Sequence, residues 1–382
     1  MSARRAASAL AAALVLAGCA AGAPAGPAAS RTQSGAPAAP VPSPSAGRAA
    51  PATPHGTLLV ADFGGDTVTF VDPDPDPGQG RRALGSVEVG TAPYGLVVDG
   101  EGLAWVATAE GVAVVDTAKR TRLARIPYRT RTGPVTTGEY RGGGMGIALA
   151  PDGRHVYVGV NVPGRDGVLE IVDTATREVT GTVPVGRRPF DVDVSPDGTE
   201  VYATGHDSFD VTAVDPATRG TRRFEVAPYG TEGGLGSWLK PHYAVVRPAD
   251  GKLLLPFEGE RLVVLDPRTG RSTVEPMTAD THQHGATLAP DGTLLVVGTG
   301  PVLSEDRGPS LTIRTPGGAE RVVPLDGPHE DVAVSADGRT AYVTEGFTRD
   351  GYGNGITVVD LTGAKRPFEV VAGARPLGIA VL

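Results

Sequence analysis

Short apolar segments alternate with polar turns along most of the chain, and the alternation returns with nearly the same residues each time. One unit consists of an alternating apolar segment, an Asp-Gly turn and a second apolar segment. The units begin at Met145, Phe190, Tyr243, Gly285 and Asp331. A third segment that ends in Asp follows most of them, as in LEIVD at 169–173. This period of two predicts β-strands, and no convincing amphipathic helical stretch follows Thr57.

The spacing of the Asp-Gly turns indicates the size of the repeat. The aspartates of these turns are Asp99, Asp152, Asp197, Asp250, Asp291 and Asp337, with spacings of 53, 45, 53, 41 and 46 residues. Such spacings are typical of four-stranded β-propeller blades. Six turns predict six blades, and a seventh is split between residues 57–89 and the C-terminal strand 376–382. We therefore predict an all-β, seven-bladed β-propeller whose ring is closed by strand 376–382, which leaves no exposed sheet edge.

The repeat resembles that of a known family. RPFDVDVSPDGTEVYATG from Arg188, AYVTEG at 341–346 and GITVVDL from Gly355 are similar to the YVTN-repeat (YncE-like) seven-bladed propellers. The first repeat, LVADFGGDTVTFVD from Leu59, fits equally well. The resemblance covers essentially all of 57–382. It implies the propeller fold, whereas blades of this kind serve as binding scaffolds, lactonases and cofactor carriers alike.

Composition narrows the possible functions. The 382 residues carry a net charge of −8, and their Lys and Arg residues are scattered. A nucleic-acid-binding protein needs a basic patch, so we predict no nucleic-acid partner. The single cysteine, Cys19, excludes an intramolecular disulfide and a cysteine-based metal site.

The N-terminus indicates export. Arg4 and Arg5 precede an apolar stretch, and Leu16-Ala17-Gly18-Cys19 resembles the lipobox of a bacterial lipoprotein signal peptide, in which the cysteine is lipidated. An ordinary secretory signal with a chance cysteine is the alternative. We predict a signal peptide over 1–18, a disordered Ala/Pro/Gly/Ser tether over 19–55 and the propeller over 56–382. The protein is then extracytoplasmic and anchored to the cell membrane by the lipid on Cys19, with a cell-envelope protein or a small ligand as its partner.

Candidate chemistry lies where the innermost strands begin, around one mouth of the central channel. Aligned to Phe190, the seven positions of this ring are Tyr94, Met145, Phe190, His242, His284, Glu330 and Leu377. Three adjacent blades thus carry His, His and Glu where the other four carry apolar or aromatic residues. Loops on the same face add His206, Asp207, Glu258 and Glu345, so that five of the seven histidines lie there.

Three interpretations of this face stay open. In the first, a divalent metal such as zinc is held by His242, His282, His284, His329 and Glu330, because zinc takes nitrogen and oxygen ligands. A small ligand would instead be bound with the help of Tyr94, His206, Trp238, Glu258 and Glu345. In the second, the histidines and Glu330 act as acid and base in a lactonase, because PHYA from Pro241 looks like a segment of 6-phosphogluconolactonase-type propellers. In the third, the polar residues are merely solvated in a water-filled channel of a protein-interaction scaffold. We favour binding over catalysis.

Overall fold

The structure is a computed structural model that describes residues 56–74, 83–226, 240–257, 261–279, 283–298, 308–346 and 353–382, apart from the side chain of Gln283. Within these ranges the chain forms twenty-eight β-strands and no helix. The strands make seven four-stranded antiparallel sheets, as the sequence predicted. No helix of the described residues is long and apolar enough to cross a membrane.

Successive strands form successive blades. The strands of the first blades are β1 (Leu58–Asp62), β2 (Thr67–Val71), β3 (Ala83–Glu88), β4 (Leu96–Val98), β5 (Leu103–Ala107), β6 (Gly111–Asp116), β7 (Thr121–Pro127), β8 (Gly143–Leu149), β9 (His155–Asn161), β10 (Val168–Asp173) and β11 (Glu178–Pro184). The next are β12 (Pro189–Val194), β13 (Val201–Gly205), β14 (Asp210–Val214), β15 (Thr221–Glu225), β16 (Val245–Val246), β17 (Leu253–Phe257), β18 (Arg261–Asp266) and β19 (Arg271–Pro276). The last are β20 (Gln283–Leu288), β21 (Leu294–Gly298), β22 (Ser310–Arg314), β23 (Glu320–Pro324), β24 (Val332–Val334), β25 (Thr340–Thr344), β26 (Gly355–Asp360), β27 (Phe368–Val371) and β28 (Pro376–Val381).

The ring is closed by its C-terminal strand. Blade 1 has the order β28-β1-β2-β3, whereas blades 2 to 7 each use four consecutive strands, from β4–β7 to β24–β27. In blade 1, Leu58 pairs with Val381 and Val60 with Ile379, and the Leu382 N–H donates to the Thr57 carbonyl at 2.8 Å. The predicted closure is confirmed, and β28 is the inner strand of the first blade.

Apolar side chains fill the spaces between neighbouring blades. Trp105 and Val114 of blade 2, for example, pack with Ile147 and Val158 of blade 3 in one buried cluster. Successive residues of a strand point to opposite faces of the sheet, so Trp105 faces blade 3 while Ala104 packs against blade 1. Apolar burial between blades thus holds the ring together.

Aspartates hold both kinds of repeated turn through their side chains. In the Asp-Gly turns, the Asp197 carboxylate accepts from the Thr199 N–H, and Asp337 accepts from the Arg339 N–H in the same way. At the end of the third strand, Asp173 accepts from the Thr176 N–H and Asp360 from the Thr362 N–H. Such Asx-type bonds satisfy backbone donors that leave the sheet, which explains why Asp recurs there.

The inner strands approach one another closely where each has passed the candidate ring. A Cβ added to Gly146 would lie 2.5 Å from the Asp191 Cα of the next blade, and one added to Gly285 would lie 2.5 Å from the Asp331 Cα. The Gly285 N–H donates to the Glu330 carbonyl at 2.7 Å, which joins blades 6 and 7 directly. Glycine at these positions therefore lets the backbones of neighbouring blades come together.

Candidate functional site

The candidate ring lies where the inner strands begin, and this end of the propeller is here called the site end. The Asp-Gly turns lie at the other end, here called the turn end. The turns that lead into the ring share a backbone conformation. Ala92, Arg188 and Arg375 each precede a proline and have φ of 49°, 49° and 51°. The residue after the proline, which is Tyr94, Phe190 or Leu377, then lies in the ring. The repeated turn therefore places the equivalent residue of each of these three repeats in the ring.

The seven ring residues close the channel at the site end. Tyr94, Met145, Phe190, His242, His284, Glu330 and Leu377 are all at most 4% exposed. Phe190 lies among them, with ring centroids 5.4 Å from Tyr94, 5.3 Å from His242 and 6.4 Å from His284. Because these residues are buried, they are not solvated groups in a water-filled channel. Buried polar groups cost free energy unless they are paired, so the partners of these side chains matter.

Two histidines meet at the centre of the cluster. His206, from the loop between β13 and β14, has its Nε2 atom 3.0 Å from the Nε2 of His242. Its other ring nitrogen, Nδ1, lies 2.8 Å from the Asp207 carboxylate. Burial lowers the pKa of His206 to about 3, so the imidazole is neutral near pH 7. A neutral imidazole that donates from Nδ1 to a carboxylate has its lone pair on Nε2, directed at His242.

A second set of contacts joins the third histidine to a buried carboxylate. His284 stacks on His242 with ring centroids 4.5 Å apart, and its Nδ1 lies 2.9 Å from Glu330 Oε2. The other oxygen of Glu330 accepts from the Tyr94 hydroxyl at 2.9 Å and from the Tyr243 hydroxyl at 3.4 Å. Burial and the Glu330 charge raise the pKa of Tyr94 well above its ordinary value, so that it stays a donor. Glu330 thus joins the two tyrosine hydroxyls and lies beside the His284 imidazole.

Three carboxyl groups lie just inside the ring. Asp191 accepts from the Ala244 N–H of the next blade at 2.9 Å, and Asp331 accepts from the N–H of Val332. Burial raises the pKa of Asp191 to about 6 and that of Asp331 to about 8, and burial with the Asp191 charge raises that of Asp193 well above its ordinary value. Asp191 joins the inner strands of blades 4 and 5 and is mostly ionised at neutral pH, whereas Asp331 is mostly protonated there.

His329 and Glu345, both predicted site residues, belong to a separate chain of contacts in blade 7. His329 Nδ1 lies 2.6 Å from the Gly327 carbonyl and Nε2 lies 2.8 Å from Thr357 Oγ1, which is 3.2 Å from Glu345 Oε1. A carbonyl only accepts, so Nδ1 carries a proton. Burial lowers the pKa of His329 to about 4, so its ring is neutral near pH 7, and the Thr357 hydroxyl donates to Glu345 Oε1. Both nitrogens of His329 are thus engaged away from the His206–His242 pair.

Glu345 makes stability depend on pH. Burial and the charge of Glu369 raise its pKa from 4.5 to about 7. The contribution of Glu345 to the stability of the folded state is therefore complete below about pH 4.5 and is lost as the pH rises through about 7. We expect Glu345→Gln, which keeps an oxygen acceptor for Thr357 and carries no charge, to be more stable than wild type by about 1–2 kcal/mol at pH 8 after allowance for solvent screening, and not at pH 4.5. Urea denaturation at both pH values measures this; an equal difference at both would contradict it.

The remaining predicted residues are not part of the described cluster. Trp238, Glu258, His282 and Cys19 lie outside the described residues. Arg247, which follows the PHYA segment in the sequence, forms an ion pair with Asp250 at the turn end of blade 5. Within the described ranges, no group of three or more His, Cys, Asp or Glu side chains is arranged to hold a metal ion.

The structure adds residues that the sequence did not single out. Arg188, only 2% exposed, contacts the carboxylates of both Asp207 and Glu139. Lys240 Nζ lies 3.1 Å from Asp207, and Tyr243 reaches Glu330 from the position after His242. The one available signal was the basic residue before Pro189, but Arg375 has the same place in its repeat, so this signal alone does not single out Arg188.

Solved structures of other proteins share this fold. The chain is similar to Kuenenia stuttgartiensis hydrazine synthase, with 17% identity over 81% of this chain and 93% of that one and a TM-score of 0.60. A functionally unknown protein of Desulfotomaculum acetoxidans matches with 12% identity, coverage of 85% and 98%, and a TM-score of 0.62. A catalytically inactive histidine-to-alanine variant of Staphylococcus aureus virginiamycin B lyase, with quinupristin, matches with 13% identity, coverage of 73% and 84%, and a TM-score of 0.53.

These similarities show the fold class alone, because the identities are low. No protein-family model matches the chain, and no curated protein matches it. The chain is a seven-bladed β-propeller with a buried histidine and carboxylate cluster at one end of its ring.

Proposed function

We propose that this propeller is an extracytoplasmic metal-binding protein that holds a divalent ion such as zinc between His206 and His242. The observation that carries the proposal is the 3.0 Å separation of the two Nε2 atoms. In tetrahedral zinc sites with Zn–N bonds of about 2.0–2.1 Å, two ligand nitrogens lie about 3.3 Å apart. A shift of a few tenths of an ångström, with the proton on His242 Nε2 transferred to Nδ1 of the same ring, would therefore admit the ion.

The surroundings of the pair suit a metal. Metal-binding histidines generally donate their second ring nitrogen to a carboxylate or carbonyl, and Asp207 occupies that position on His206. The ligand must also be neutral, as His206 is. The neighbouring His284 has its Nδ1 2.9 Å from Glu330 and is a third imidazole, stacked on His242. Two imidazoles leave coordination positions for water or for a group of a bound ligand, which suits a binding protein.

The proposed location and family rest on the sequence. The lipobox-like LAGC ending at Cys19 and the Ala/Pro-rich stretch after it support a lipid anchor with a tether. The repeat motifs support membership of the YVTN-repeat propellers. A cell-envelope protein or small ligand would then bind at the site end, next to the buried metal.

Zinc is expected to stabilise the protein through this pair. With free zinc at about 30 times its dissociation constant, a ligand that binds only the folded state adds about 2 kcal/mol, or about 3 °C in melting temperature for a chain of this size. Calorimetric titration of chelator-stripped protein should give one site. His206→Gln and His242→Gln should each weaken zinc binding at least tenfold.

His155→Gln is the matched control for this experiment. His155 begins β9 at the turn end, where it stacks on Tyr157 with ring centroids 6.2 Å apart. Its replacement should leave zinc affinity unchanged. Wild-type protein that neither binds zinc nor melts at a higher temperature with it would overturn the proposal, as would equal zinc binding by all three variants.

A further inference from the structure

His206 can bind a metal beside His242 only if its lone pair is on Nε2, which requires the proton to be on Nδ1. The residues around Asp207 determine which of these nitrogens carries the proton. The Asp207 carboxylate lies against three donors: His206 Nδ1 at 2.8 Å and Lys240 Nζ at 3.1 Å, both on Oδ1, and Arg188 Nε at 3.2 Å on Oδ2. The Arg188 guanidinium and the Lys240 ammonium both lie against Asp207, so this group is a carboxylate with two cationic partners. A carboxylate only accepts, and the His206 Nδ1 atom at 2.8 Å therefore donates to it.

Arg188 and Lys240 differ in what they do to this carboxylate. Lys240 shares Oδ1 with His206 and leaves the other oxygen without restraint. Arg188 attracts Oδ2 through an ion pair, so that the carboxylate lies between the guanidinium and the imidazole. A carboxylate attracted at both oxygens is hindered from turning away from the imidazole, and the Arg188 guanidinium supplies the attraction at Oδ2.

Arg188 is itself held by the loop that connects β7 to β8. Its NH1 lies 3.4 Å from Glu139 Oε1, and its guanidinium lies 3.6 Å from the ring centroid of Tyr140. The side chain is 2% exposed, so its charge is compensated by Glu139 and Asp207 rather than by water. The long loop between blades 2 and 3 thus reaches blade 4 and acts on the cluster through one arginine.

We propose that Arg188 is a positioning residue that holds His206 in its Nδ1-protonated tautomer through the carboxylate of Asp207. The expected change in zinc affinity rests on the proposed metal site. The expected change in the tautomer of His206 does not, because the tautomer can be observed without metal. Removal of an orienting carboxylate or of its support lets an imidazole adopt the other tautomer. Changes of this kind beside a metal ligand weaken metal binding by about 10- to 100-fold.

The test is a long-range proton–nitrogen correlation spectrum of metal-free protein labelled at the histidine nitrogens. The His206 signals are assigned from their absence in His206→Gln. Wild type should show a single Nδ1-protonated form, and Arg188→Met a mixture of both tautomers with zinc affinity about tenfold lower. Arg188→Lys keeps the charge but cannot reach Asp207 and Glu139 together, so its tautomer mixture and zinc affinity should lie between those of wild type and Arg188→Met.

Arg375→Met is the matched control, because Arg375 has φ of 51° and precedes Pro376 as Arg188 precedes Pro189. It should show the wild-type tautomer. An Nδ1-protonated His206 in folded Arg188→Met, with zinc affinity within twofold of the Arg375→Met value, overturns the inference. If Arg188→Met does not fold, an unchanged tautomer in Arg188→Lys overturns it. A tautomer change in protein whose wild type binds no zinc supports the inference and rejects the metal site.

Discussion

Deletion of residues 376–382 is expected to open the ring and remove at least about 5 kcal/mol of stability. The deletion takes away β28, in which Pro376, Leu377 and Ile379 are buried, and leaves β1 as an unpaired inner edge. Burial of one large apolar side chain contributes about 1.5–3 kcal/mol, and lost strand hydrogen bonds add to this. Because whole domains are stable by only about 5–15 kcal/mol, the truncated protein should unfold or aggregate at room temperature.

Graded variants of the same strand separate closure from general damage. Leu377→Ala should cost about 2–5 kcal/mol, since Leu377 is fully buried in the ring. Leu382→Ala should cost little, since that side chain is 40% exposed. Urea denaturation followed by circular dichroism measures all three. Cooperative unfolding of the truncated protein at the wild-type midpoint would show that blade 1 does not depend on β28.

Gly146→Ala is expected to destabilise the protein by about 3 kcal/mol, although it adds only one methyl group. The added Cβ would lie 2.5–2.6 Å from backbone atoms of Asp191 and Val192, which no side-chain rotation can relieve. Blades 3 and 4 would have to separate, and such overpacking typically costs 1–3 kcal/mol or more. Since Asp191 follows Phe190, zinc affinity should fall as well if the proposed site is correct.

Gly100→Ala is the control for this second prediction. A Cβ on Gly100 meets no atom within 4 Å, so this variant should be neutral or slightly more stable, as replacements that restrict the unfolded chain usually are. Equal midpoints of denaturation for Gly146→Ala and Gly100→Ala would show that the inner strands can move apart freely.

The composition of the ring could be predicted from the repeat because side-chain positions recur at the same register. Phe190, His242, His284 and Glu330 come together, as alignment of the units predicted. Alignment of the units did not show that His329 lies apart from the other predicted metal ligands. Its neighbour Glu330 has the ring position, and the side chains of adjacent strand residues point in different directions.

Contacts across the ring could not be predicted from local pattern. Tyr94 and Glu330 are 236 residues apart, and Glu139 and Arg188 meet only because a long loop crosses two blades. Whether a histidine is solvated or buried also depended on Phe190 filling the channel, which no single repeat reveals.

The sequence by itself determined the all-β class, the seven blades, the closure by strand 376–382 and the residues of the ring, because all of these follow from a repeated register of apolar positions. Only the tertiary structure decided that the ring is buried, that His206 faces His242 nitrogen to nitrogen, and that Arg188 holds Asp207. The physical reason is that side-chain contacts between blades depend on residues far apart in the chain, each oriented by the packing of the others.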